Sequence, residues 1–332
     1  MRYFVTGATG FVGGRVVQQL VARGDSVVAV VRSPDKARTL AELGVTLVNG
    51  DITDKESMRA GMSGVDGVFH IAGWYKIGIK DKTPGQAINV EGTRNVLALM
   101  QELGVAKGVY TSTLAVNSDT HGQCVDETYH FQGAHISVYD RTKADAHVVA
   151  EAFMAQGLPL VIVMPGLIYG PGDTSSVRTT FIQYLQRKLP MIPQQTAYSW
   201  AHVDDIAAAH IAAMDRGRTG EKYIIAGPSH TLVEAMAMAA AITGIPAPMA
   251  APPQLFGALA PAMGLLEKIL PLPEAYTGEG LRVIAGVTYL GDNAKAQRAL
   301  DYNPRPLHDG LTETLHHEME LLKLPTPPAS GK

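Results

Sequence analysis

The 332-residue sequence has little cysteine and little charge, and each scarcity excludes a class of protein. Cys124 is the single cysteine, so an internal disulfide cannot form and a disulfide-stabilised scaffold is excluded. Only 18% of the residues are charged, and 28 basic against 31 acidic side chains leave a net charge of −3. Because this balance provides no basic field for phosphate-backbone binding, we expect no nucleic-acid partner.

Long apolar runs are also missing. The glycine-rich turn begins at Gly7, too close to the first residue for the apolar region of a signal peptide. The most apolar stretch, residues 255–266, is interrupted by Gly257, Pro261 and Gly264 and is too short to span a bilayer. We therefore expect a cytoplasmic protein without membrane contact, in which residues 255–266 form a buried or pocket-lining, partly helical segment.

Short β-branched runs alternate with longer helical patterns through the first half of the chain. The predicted strands cover residues 3–6, 26–31, 46–48, 67–71, 108–111 and 160–164. The helical patterns between them include residues 12–23, 89–103 and 139–156. This alternation predicts an α/β fold with a doubly wound, Rossmann-like parallel sheet, whose ligand site lies beyond the carboxyl ends of the strands.

After Pro165 the alternation gives way to segments rich in proline and glycine, which we interpret as a smaller C-terminal substrate-binding lobe. The dinucleotide-binding domain is predicted over residues 1–165 and about 200–227. The lobe and a closing amphipathic helix are predicted over residues about 166–199 and about 228–322, with a disordered tail at 324–332.

A glycine-rich segment follows the first predicted strand directly and opens the first helix. In this position Gly7 permits a tight turn, Gly10 lets a pyrophosphate approach the backbone at the helix N-terminus, and Gly13 allows close packing of helix on strand. The segment therefore predicts a dinucleotide site. Its predicted contact residues are Gly7, Thr9, Gly10, Phe11, Val12 and Gly13.

Arg32 stands at the end of the second predicted strand, where an acidic residue would accept the adenosine ribose hydroxyl of NAD. A guanidinium matches a 2′-phosphate instead, so the sequence favours NADP(H) over NAD(H), with Lys36 as a second cation. In the alternative, Arg32 and Lys36 are solvated surface charges and Asp35 binds the ribose, which would make NAD(H) the cofactor.

The ends of the later strands supply further predicted contacts with the cofactor. Asp51 would accept a hydrogen bond from the adenine amino group, although it would equally serve as the cap of a helix beginning near Asp54. Ala72 and Gly73 would let the nicotinamide half pass close to the backbone. The predicted contacts at these strand ends are Asp51, Ile52, Ala72, Gly73, Thr111 and Pro165.

Tyr139 and Lys143 lie one turn apart on the same face of a predicted helix. A phenol is a poor acid or base at neutral pH, and a nearby cation should stabilise the phenolate and lower its pKa. Lys143 would also hold the nicotinamide ribose hydroxyls. Thr113, at the end of the fifth predicted strand, would donate a hydrogen bond to a substrate carbonyl, with Ser112 as the rival for that role. In the alternative, these hydroxyls only satisfy the end of a strand.

These motifs, in this order, resemble the extended short-chain dehydrogenases/reductases of the epimerase/dehydratase superfamily. The resemblance spans almost the whole chain, and its motifs are residues 6–13, 51–52, 70–73, 89–93, 111–116, 139–143, 165–173 and 202–205. It implies that Thr113 is the catalytic hydroxyl, Tyr139 the acid/base and Lys143 its supporting cation. Asn89 matches a motif asparagine with a more structural part.

Within that family, Arg32 and the run at residues 204–211 are similar to the dihydroflavonol 4-reductase and cinnamoyl-CoA reductase branch, whose members reduce carbonyls with NADPH. The favoured interpretation is thus an NADP-dependent carbonyl reductase or alcohol dehydrogenase for a small to medium, rather apolar substrate. The residues predicted to contact that substrate are Trp74, Tyr75, Thr113, Tyr169 and Arg178. We expect no metal site.

Two other functions stay open at this point. A nucleotide-sugar epimerase or dehydratase with tightly bound NAD shares the core, but residues 194–201 contain no basic residue and Met164 replaces an arginine that many such enzymes have. A non-catalytic cofactor sensor would have no need of Thr113, Tyr139 and Lys143 together. The helical patterns at 89–103 and 139–156 would allow a homodimer, although no apolar stripe decides the matter.

Overall fold

A parallel sheet dominates the fold. The computed structural model of the chain describes residues 1–267, 269–270 and 277–325. The strands in this part of the chain are β1 (Arg2–Thr6), β2 (Ser26–Val31), β3 (Thr46–Asn49), β4 (Gly67–His70), β5 (Gly108–Thr111), β6 (Leu160–Pro165), β7 (Leu167–Tyr169), β8 (Met191–Pro193), β9 (Ala197–His202), β10 (Lys222–Ile225), β11 (Ser229–Thr231), β12 (Met249–Ala251) and β13 (Thr288–Tyr289).

Helices cover the sheet and build the lobe. They are α1 (Phe11–Ala22), α2 (Arg38–Glu42), α3 (Lys55–Met62), α4 (Thr83–Gly85), α5 (Thr93–Glu102), α6 (Val138–Ala155), α7 (Ser176–Leu185), α8 (Val203–Asp215), α9 (Leu232–Thr243), α10 (Pro253–Leu266), α11 (Gly278–Ile284), α12 (Ala294–Leu300) and α13 (Leu307–Leu321). A π-helical turn, Gln86–Gly92, joins α4 to α5. In the described residues, no helix has the length and apolar character needed to cross a bilayer.

The main sheet has seven strands in the order β10-β6-β5-β4-β1-β2-β3, and every neighbouring pair is parallel. The chain winds outward in both directions from β1, so the predicted doubly wound fold is confirmed. The strand order reverses between β1 and β4, and a crevice opens there at the carboxyl ends of the strands. The predicted strands at 26–31 and 108–111 have the observed bounds, and the other four differ from them by one residue.

The sheet is apolar on both faces because helices cover both. On one face Val5 shares a buried cluster with Leu20 of α1 and Ile206 of α8. On the other face Phe4 shares a second cluster with Leu97 of α5. Each fully buried side chain of this kind contributes about 1.5–3 kcal/mol to folding relative to an exposed one. The sheet is therefore a rigid support for the loops at its carboxyl edge.

Outside the main sheet, β9 pairs with β7, β11 and β13 in a small sheet, and α7, α9 and α13 pack against it. We call this part of the chain, together with α10 and α11, the lobe. Helix α12 departs from the predicted division, because its residues Ala296 and Leu300 join the apolar cluster of the main sheet. The domain boundaries remain a prediction. From residue 326 onward, the predicted tail at 324–332 lies outside the described residues.

The apolar segment at 255–266 is helical, as predicted, but it is only half buried. Phe256 and Ala260 of α10 pack toward α11, whereas Leu255, Leu259 and Leu265 are exposed on the opposite side. Burial is thus confirmed for one face of the helix only, and the alternative that the segment lines a pocket stays a prediction. Large apolar residues occur on all sides of this helix, so the sequence does not indicate which face is covered.

We expect acid to destabilise the fold through two buried histidines. Burial lowers the pKa of His70 to about 3 and that of His210 to about 4. An unfolded histidine has a pKa of about 6.5, so both side chains favour folding above that pH, and this stability is lost as the pH falls toward the folded values. Between about pH 6 and about pH 5, each should lower the free energy of unfolding by roughly 1.4 kcal/mol per pH unit.

Urea unfolding across that pH range, measured on the parent, His70→Asn and His308→Gln, checks this expectation. The imidazole of His308 is exposed, so its removal should leave the slope of stability against pH unchanged. His70→Asn should reduce the slope even though the protein is less stable overall. Equal slopes in all three proteins would contradict the burial argument.

Candidate active site

The glycine turn after β1 has the conformation that a dinucleotide site requires. Gly7 has a φ of 74°, and a Cβ atom there would lie 2.7 Å from the backbone nitrogen of Ala72. A Cβ atom on Gly13 would lie 2.1 Å from the carbonyl oxygen of Gly7. Gly10 is the N-cap of α1 and offers no side-chain cap, so the first amide groups of the helix are available to an anion. The turn therefore fits the pyrophosphate of a nicotinamide dinucleotide.

Arg32 leaves the sheet beside this turn. Thr6 pairs in register with Val30, which places Gly7 and Arg32 just beyond the ends of neighbouring strands. Arg32 and Lys36 are both exposed, and neither forms an ion pair with another described residue. Asp35 is exposed as well, so the geometry of this segment is compatible with NADP(H) and with NAD(H).

Asp51 is not the helix cap that the sequence left open. Asp54 is the N-cap of α3 and accepts a hydrogen bond from the amide of Ser57 at 3.4 Å. Asp51 instead accepts hydrogen bonds from the amide and the hydroxyl of Thr53, each at 2.8 Å. Ile52 is buried against Gly92. Contacts of Asp51 and Ile52 with adenine remain predictions.

Thr6 and His70, which have no role in the predictions above, hold the segment after β4 in place. The hydroxyl oxygen of Thr6 accepts hydrogen bonds from the amides of Ile71 and Ala72, each at 3.1 Å. It also lies 2.8 Å from Nδ1 of His70, whose Nε2 lies 3.0 Å from the hydroxyl of Thr93. The backbone around Ala72 is thus fixed by a buried polar chain that starts in the glycine motif.

Asn89 ties the same segment to the catalytic helix. Its Oδ1 accepts a hydrogen bond from the amide of Trp74 at 2.7 Å. Its Nδ2 donates to the carbonyl of Trp74 at 3.0 Å and to the hydroxyl of Thr142 at 2.9 Å. A Cβ atom on Gly73 would lie 3.4 Å from Oδ1 of Asn89 and 3.9 Å from Nζ of Lys143. Gly73 therefore lies next to the predicted catalytic cation, and Asn89 has the structural part that the resemblance implied.

Ser112 and Thr113 have different surroundings. The hydroxyl of Thr113 lies on the side of the phenol of Tyr139 and lowers its pKa. The hydroxyl of Ser112 points to the helix behind it, where it lies 2.7 Å from Nδ1 of His147. Thr113 is therefore the hydroxyl that shares a site with Tyr139.

Lys143 is almost fully buried, with 7% of its surface exposed. Its ammonium donates to the carbonyl of Thr111 at 2.8 Å and lies 5.1 Å from the ring centroid of Tyr110. Burial lowers the pKa of Lys143 to about 7 and raises that of Tyr139 to about 12, although the nearby Thr113 hydroxyl opposes the latter change. The expectation that Lys143 brings the pKa of Tyr139 below 10 is not met here, because desolvation of the phenol is the larger effect.

An apolar cluster lies on one side of Tyr139. Tyr139 packs against the buried side chains of Ala115, Val287 and Tyr289, and Ile136 and Tyr198 pack against the same cluster. Such a lining favours an apolar substrate over a strongly charged one.

The predicted substrate residues have diverse environments. Trp74 is buried, and Tyr75 is exposed with its hydroxyl 3.1 Å from that of Thr174. Tyr169 is buried with its ring edge against Trp200 and His202. Tyr169 is thus a core residue of the lobe, and its predicted contact with substrate stays untested.

Three more predicted contacts already have partners within the protein. Nε of Arg178 donates to Oε1 of the buried Glu318 at 2.7 Å, which joins α7 to α13. The hydroxyl of Thr111 lies 2.8 Å from Nε2 of His210, so its carbonyl rather than its side chain meets Lys143. Pro165 ends β6 in register with Ile225. Ligand contacts of these residues remain predictions.

Residues 3–226 match the model of the NAD dependent epimerase/dehydratase family. The chain belongs to this family. It is 35% identical over 254 residues to a Synechocystis sp. protein named "Putative dihydroflavonol 4-reductase", and 74% of each chain is covered. It is 31% identical to the 2-alkyl-3-oxoalkanoate reductase of Shewanella oneidensis, over 73% of this chain and 66% of the other. The crystal structure of gox2253 superposes with a TM-score of 0.84 at 29% identity and covers 97% of this chain and 99% of that one.

The resemblance to extended short-chain dehydrogenases/reductases is therefore confirmed, as is the similarity to a dihydroflavonol 4-reductase-like relative. The protein is an NAD(P)-dependent oxidoreductase of this type.

Substitutions of the two neighbouring hydroxyls should have different effects. Thr113→Val removes the hydroxyl that we expect to donate to the substrate oxygen, so turnover should fall by about 10²-fold or more, as when one donor to a developing oxyanion is lost. Ser112→Ala removes a buried hydrogen bond to His147, so it should lower the free energy of unfolding by about 1–2 kcal/mol with little effect on turnover. Steady-state kinetics and urea unfolding of both variants check this, and the opposite pattern would make Ser112 the catalytic hydroxyl.

Proposed function

We propose that the protein interconverts a carbonyl and an alcohol with NADP(H), on a small to medium, rather apolar substrate. The observation that carries this proposal is the placement of the Thr113 hydroxyl beside the phenol of Tyr139, with Lys143 one turn further along α6. A hydroxyl donor, an acid/base and a cation are the groups that a hydride-transfer site needs at the substrate oxygen.

The nicotinamide cofactor, when bound, supplies the hydride for the carbonyl carbon. Thr113 donates a hydrogen bond to the carbonyl oxygen, and Tyr139 gives its proton to the same oxygen as negative charge develops there. Because the pKa of Tyr139 is about 12, the phenol is protonated at neutral pH and is ready to act as the acid. This state favours the reduction direction, since alcohol oxidation requires the phenolate.

The preference for NADP(H) is supported by the place of Arg32. An exposed guanidinium next to the glycine turn, without an ion pair in the described chain, is suited to a 2′-phosphate, and Lys36 lies one short turn further on. Asp35 on the same turn is the residue that would instead serve NAD.

The apolar lining of the site supports the substrate class. Tyr139 packs against a buried cluster of Ala115, Val287 and Tyr289, and none of these residues carries a formal charge. Two relatives named as reductases, of a dihydroflavonol and of a 2-alkyl-3-oxoalkanoate, support carbonyl chemistry. The alternative is a nucleotide-sugar epimerase or dehydratase, which the family name includes. Such an enzyme must bind a diphosphate, and residues 194–201 contain no basic side chain for it.

The cofactor preference predicts that NADPH binds more tightly than NADH and that Arg32→Asp reverses the order. Loss of one phosphate ion pair and addition of a repelling carboxylate should weaken NADPH by about tenfold or more, which is roughly 1.4 kcal/mol per factor of ten. Calorimetry with both cofactors measures it. Arg94→Asp on α5 is the control, because it makes the same change in net charge at an exposed site. Equal affinities of the parent for the two cofactors would show that Arg32 does not bind the 2′-phosphate of NADPH.

The catalytic assignment predicts different consequences for Tyr139→Phe and Lys143→Ala. Tyr139→Phe should lower turnover by about 10²–10⁴-fold with NADPH affinity near that of the parent, because only the proton donor is lost. Lys143→Ala should reduce both, since it also removes a cation from the predicted ribose site. In the parent, alcohol oxidation should continue to accelerate as the pH rises through the alkaline range toward about 12, because only the phenolate accepts the proton.

A panel of aromatic and aliphatic ketones, with NADPH consumption as the signal, provides the substrate for these kinetics. Full turnover by Tyr139→Phe would show that the assignment of the acid is wrong. The same panel should include UDP- and dTDP-sugars. Conversion of one of these, or an increase of several degrees in melting temperature on adding it, would favour the epimerase or dehydratase instead.

A further inference from the structure

Glu279 is a buried carboxylate of the lobe that the proposed mechanism does not use. It lies in the first turn of α11, and its side chain is 7% exposed. Oε1 accepts a hydrogen bond from the amide of Val138 at 2.9 Å. Oε2 accepts one from the amide of Gly78 at 3.0 Å and lies 2.9 Å from Nζ of Lys82. One carboxylate therefore connects the lobe to two separate parts of the main domain.

The first of these parts is the start of the catalytic helix. Val138 is the first residue of α6, so its amide has no acceptor within the helix, and Tyr139 follows it directly. A carboxylate at a helix N-terminus is favourable because it meets both the free amide and the positive end of the helix dipole. The direction in which the first turn presents Tyr139 thus depends on a side chain from α11.

A second lobe contact lies on the other side of Tyr139. Oδ2 of Asp140 accepts a hydrogen bond from the hydroxyl of Tyr289 in β13 at 2.9 Å. Oδ1 of the same carboxylate accepts one from the hydroxyl of Ser137, the N-cap of α6, at 2.8 Å. The residues before and after Tyr139 are both bound by the lobe segment at 279–289, so a shift of that segment would move the phenol.

The other part held by Glu279 is the segment between β4 and α4. Gly78 and Lys82 belong to it, and it begins just after Gly73, which lies next to Lys143. Asn89 fixes the start of this segment through Trp74, and Glu279 fixes its middle and end. The carboxylate consequently brings the nicotinamide side of the site, the catalytic helix and the lobe into one hydrogen-bonded unit.

We propose that Glu279 is a positioning residue for Tyr139, which holds the first turn of α6 and the segment at 74–82 in register with the lobe. The inference rests on the proposed carbonyl reduction, because it concerns where the proton donor stands relative to the substrate oxygen. Glu279 does not contact the reacting atoms. Its role is geometric, and small displacements of a proton donor slow its transfer strongly.

The chemistry of the carboxylate suggests graded variants. Each of its two oxygens holds one backbone amide, so Glu279→Gln keeps an acceptor for one of them and presents an amide group to the other. Glu279→Ala keeps neither. Glu267 provides the control, because its carboxylate likewise accepts a backbone amide, that of Gly278 at 2.9 Å, but in the described residues it forms no hydrogen bond to α6.

The experiment compares the parent with Glu279→Gln, Glu279→Ala and Glu267→Gln by hydrogen exchange, kinetics and calorimetry. Peptides that contain Val138 and Gly78 should exchange faster in the two Glu279 variants and at the parent rate in Glu267→Gln. NADPH stoichiometry gives the fraction of competent sites. Turnover per competent site should fall by about 10-fold to 10²-fold in Glu279→Ala, with an intermediate loss in Glu279→Gln and none in Glu267→Gln.

The solvent deuterium isotope effect on turnover separates positioning from general stability. It should increase in the Glu279 variants, because a displaced Tyr139 makes proton transfer slower relative to the other steps. A merely structural role would reduce the number of competent sites and leave the isotope effect of the remaining ones unchanged. If Glu279→Ala does not fold, Glu279→Gln carries the same comparison.

Two results would overturn the proposal. Unchanged exchange at Val138 and Gly78 would show that the carboxylate does not hold these amides, and faster exchange with parental turnover and isotope effect would show that the bonds do not position Tyr139. Neither result affects the proposed reaction, because Tyr139→Phe tests that separately. Full turnover by Tyr139→Phe would instead refute the reaction, and the positioning role would fall with it.

Discussion

The burial of the Lys143 ammonium is the constraint around which the site is organised. A cation inside a protein is tolerated only where fixed dipoles replace the water it has lost. The carbonyl of Thr111 and the ring and hydroxyl of Tyr110 provide that replacement. Both residues belong to the end of β5, so α6 must cross the sheet at this strand. The position of Tyr139, one turn earlier on the same helix, follows from where the cation can be accommodated.

The same constraint explains why the polar core beneath the site remains neutral. Burial and the nearby Lys143 both lower the pKa of His70, which therefore carries no charge at neutral pH. As a neutral ring, His70 links Thr6 of the glycine motif to Thr93, and it stacks on the ring of Tyr110 with the ring centroids 5.4 Å apart. This chain connects the pyrophosphate turn to the environment of the catalytic cation. A second buried charge here would repel Lys143 and disrupt both ends of the site.

The sequence was sufficient where the signal is local. The glycine turn, the strand ends and the spacing of Tyr139 and Lys143 are patterns within a few residues, and the structure contains the predicted sheet around them. Pairings across long stretches of chain could not be predicted in this way. Glu279 meets Val138 across 141 positions, and Arg178 meets Glu318 across 140. Neither pair has a spacing or a motif that would reveal it, because the fold alone brings the partners together.

Adjacent residues of similar chemistry cannot be distinguished by their sequence pattern either. Ser112 and Thr113 differ by one position, and only the twist of the chain after β5 decides which hydroxyl reaches Tyr139 and which reaches His147. The covered face of α10 is a similar case, since its sequence is apolar on all sides. In both cases the residue types were compatible with more than one arrangement, and tertiary packing selected among them.

Burial shifts the pKa values of the two catalytic groups in opposite directions, and these shifts determine when Lys143 can stabilise Tyr139. Desolvation raises the pKa of Tyr139 and lowers that of Lys143, so a neutral phenol gains little from the cation before reaction. Because the pKa of Lys143 is about 7, the ammonium form is partly populated at neutral pH. In that form it attracts a phenolate one helical turn away strongly, because the dielectric constant of the region is low. The stabilisation therefore develops with the transfer of the proton and is absent from the resting pair. An interaction that strengthens toward the transition state accelerates the reaction, whereas one already present in the ground state would not.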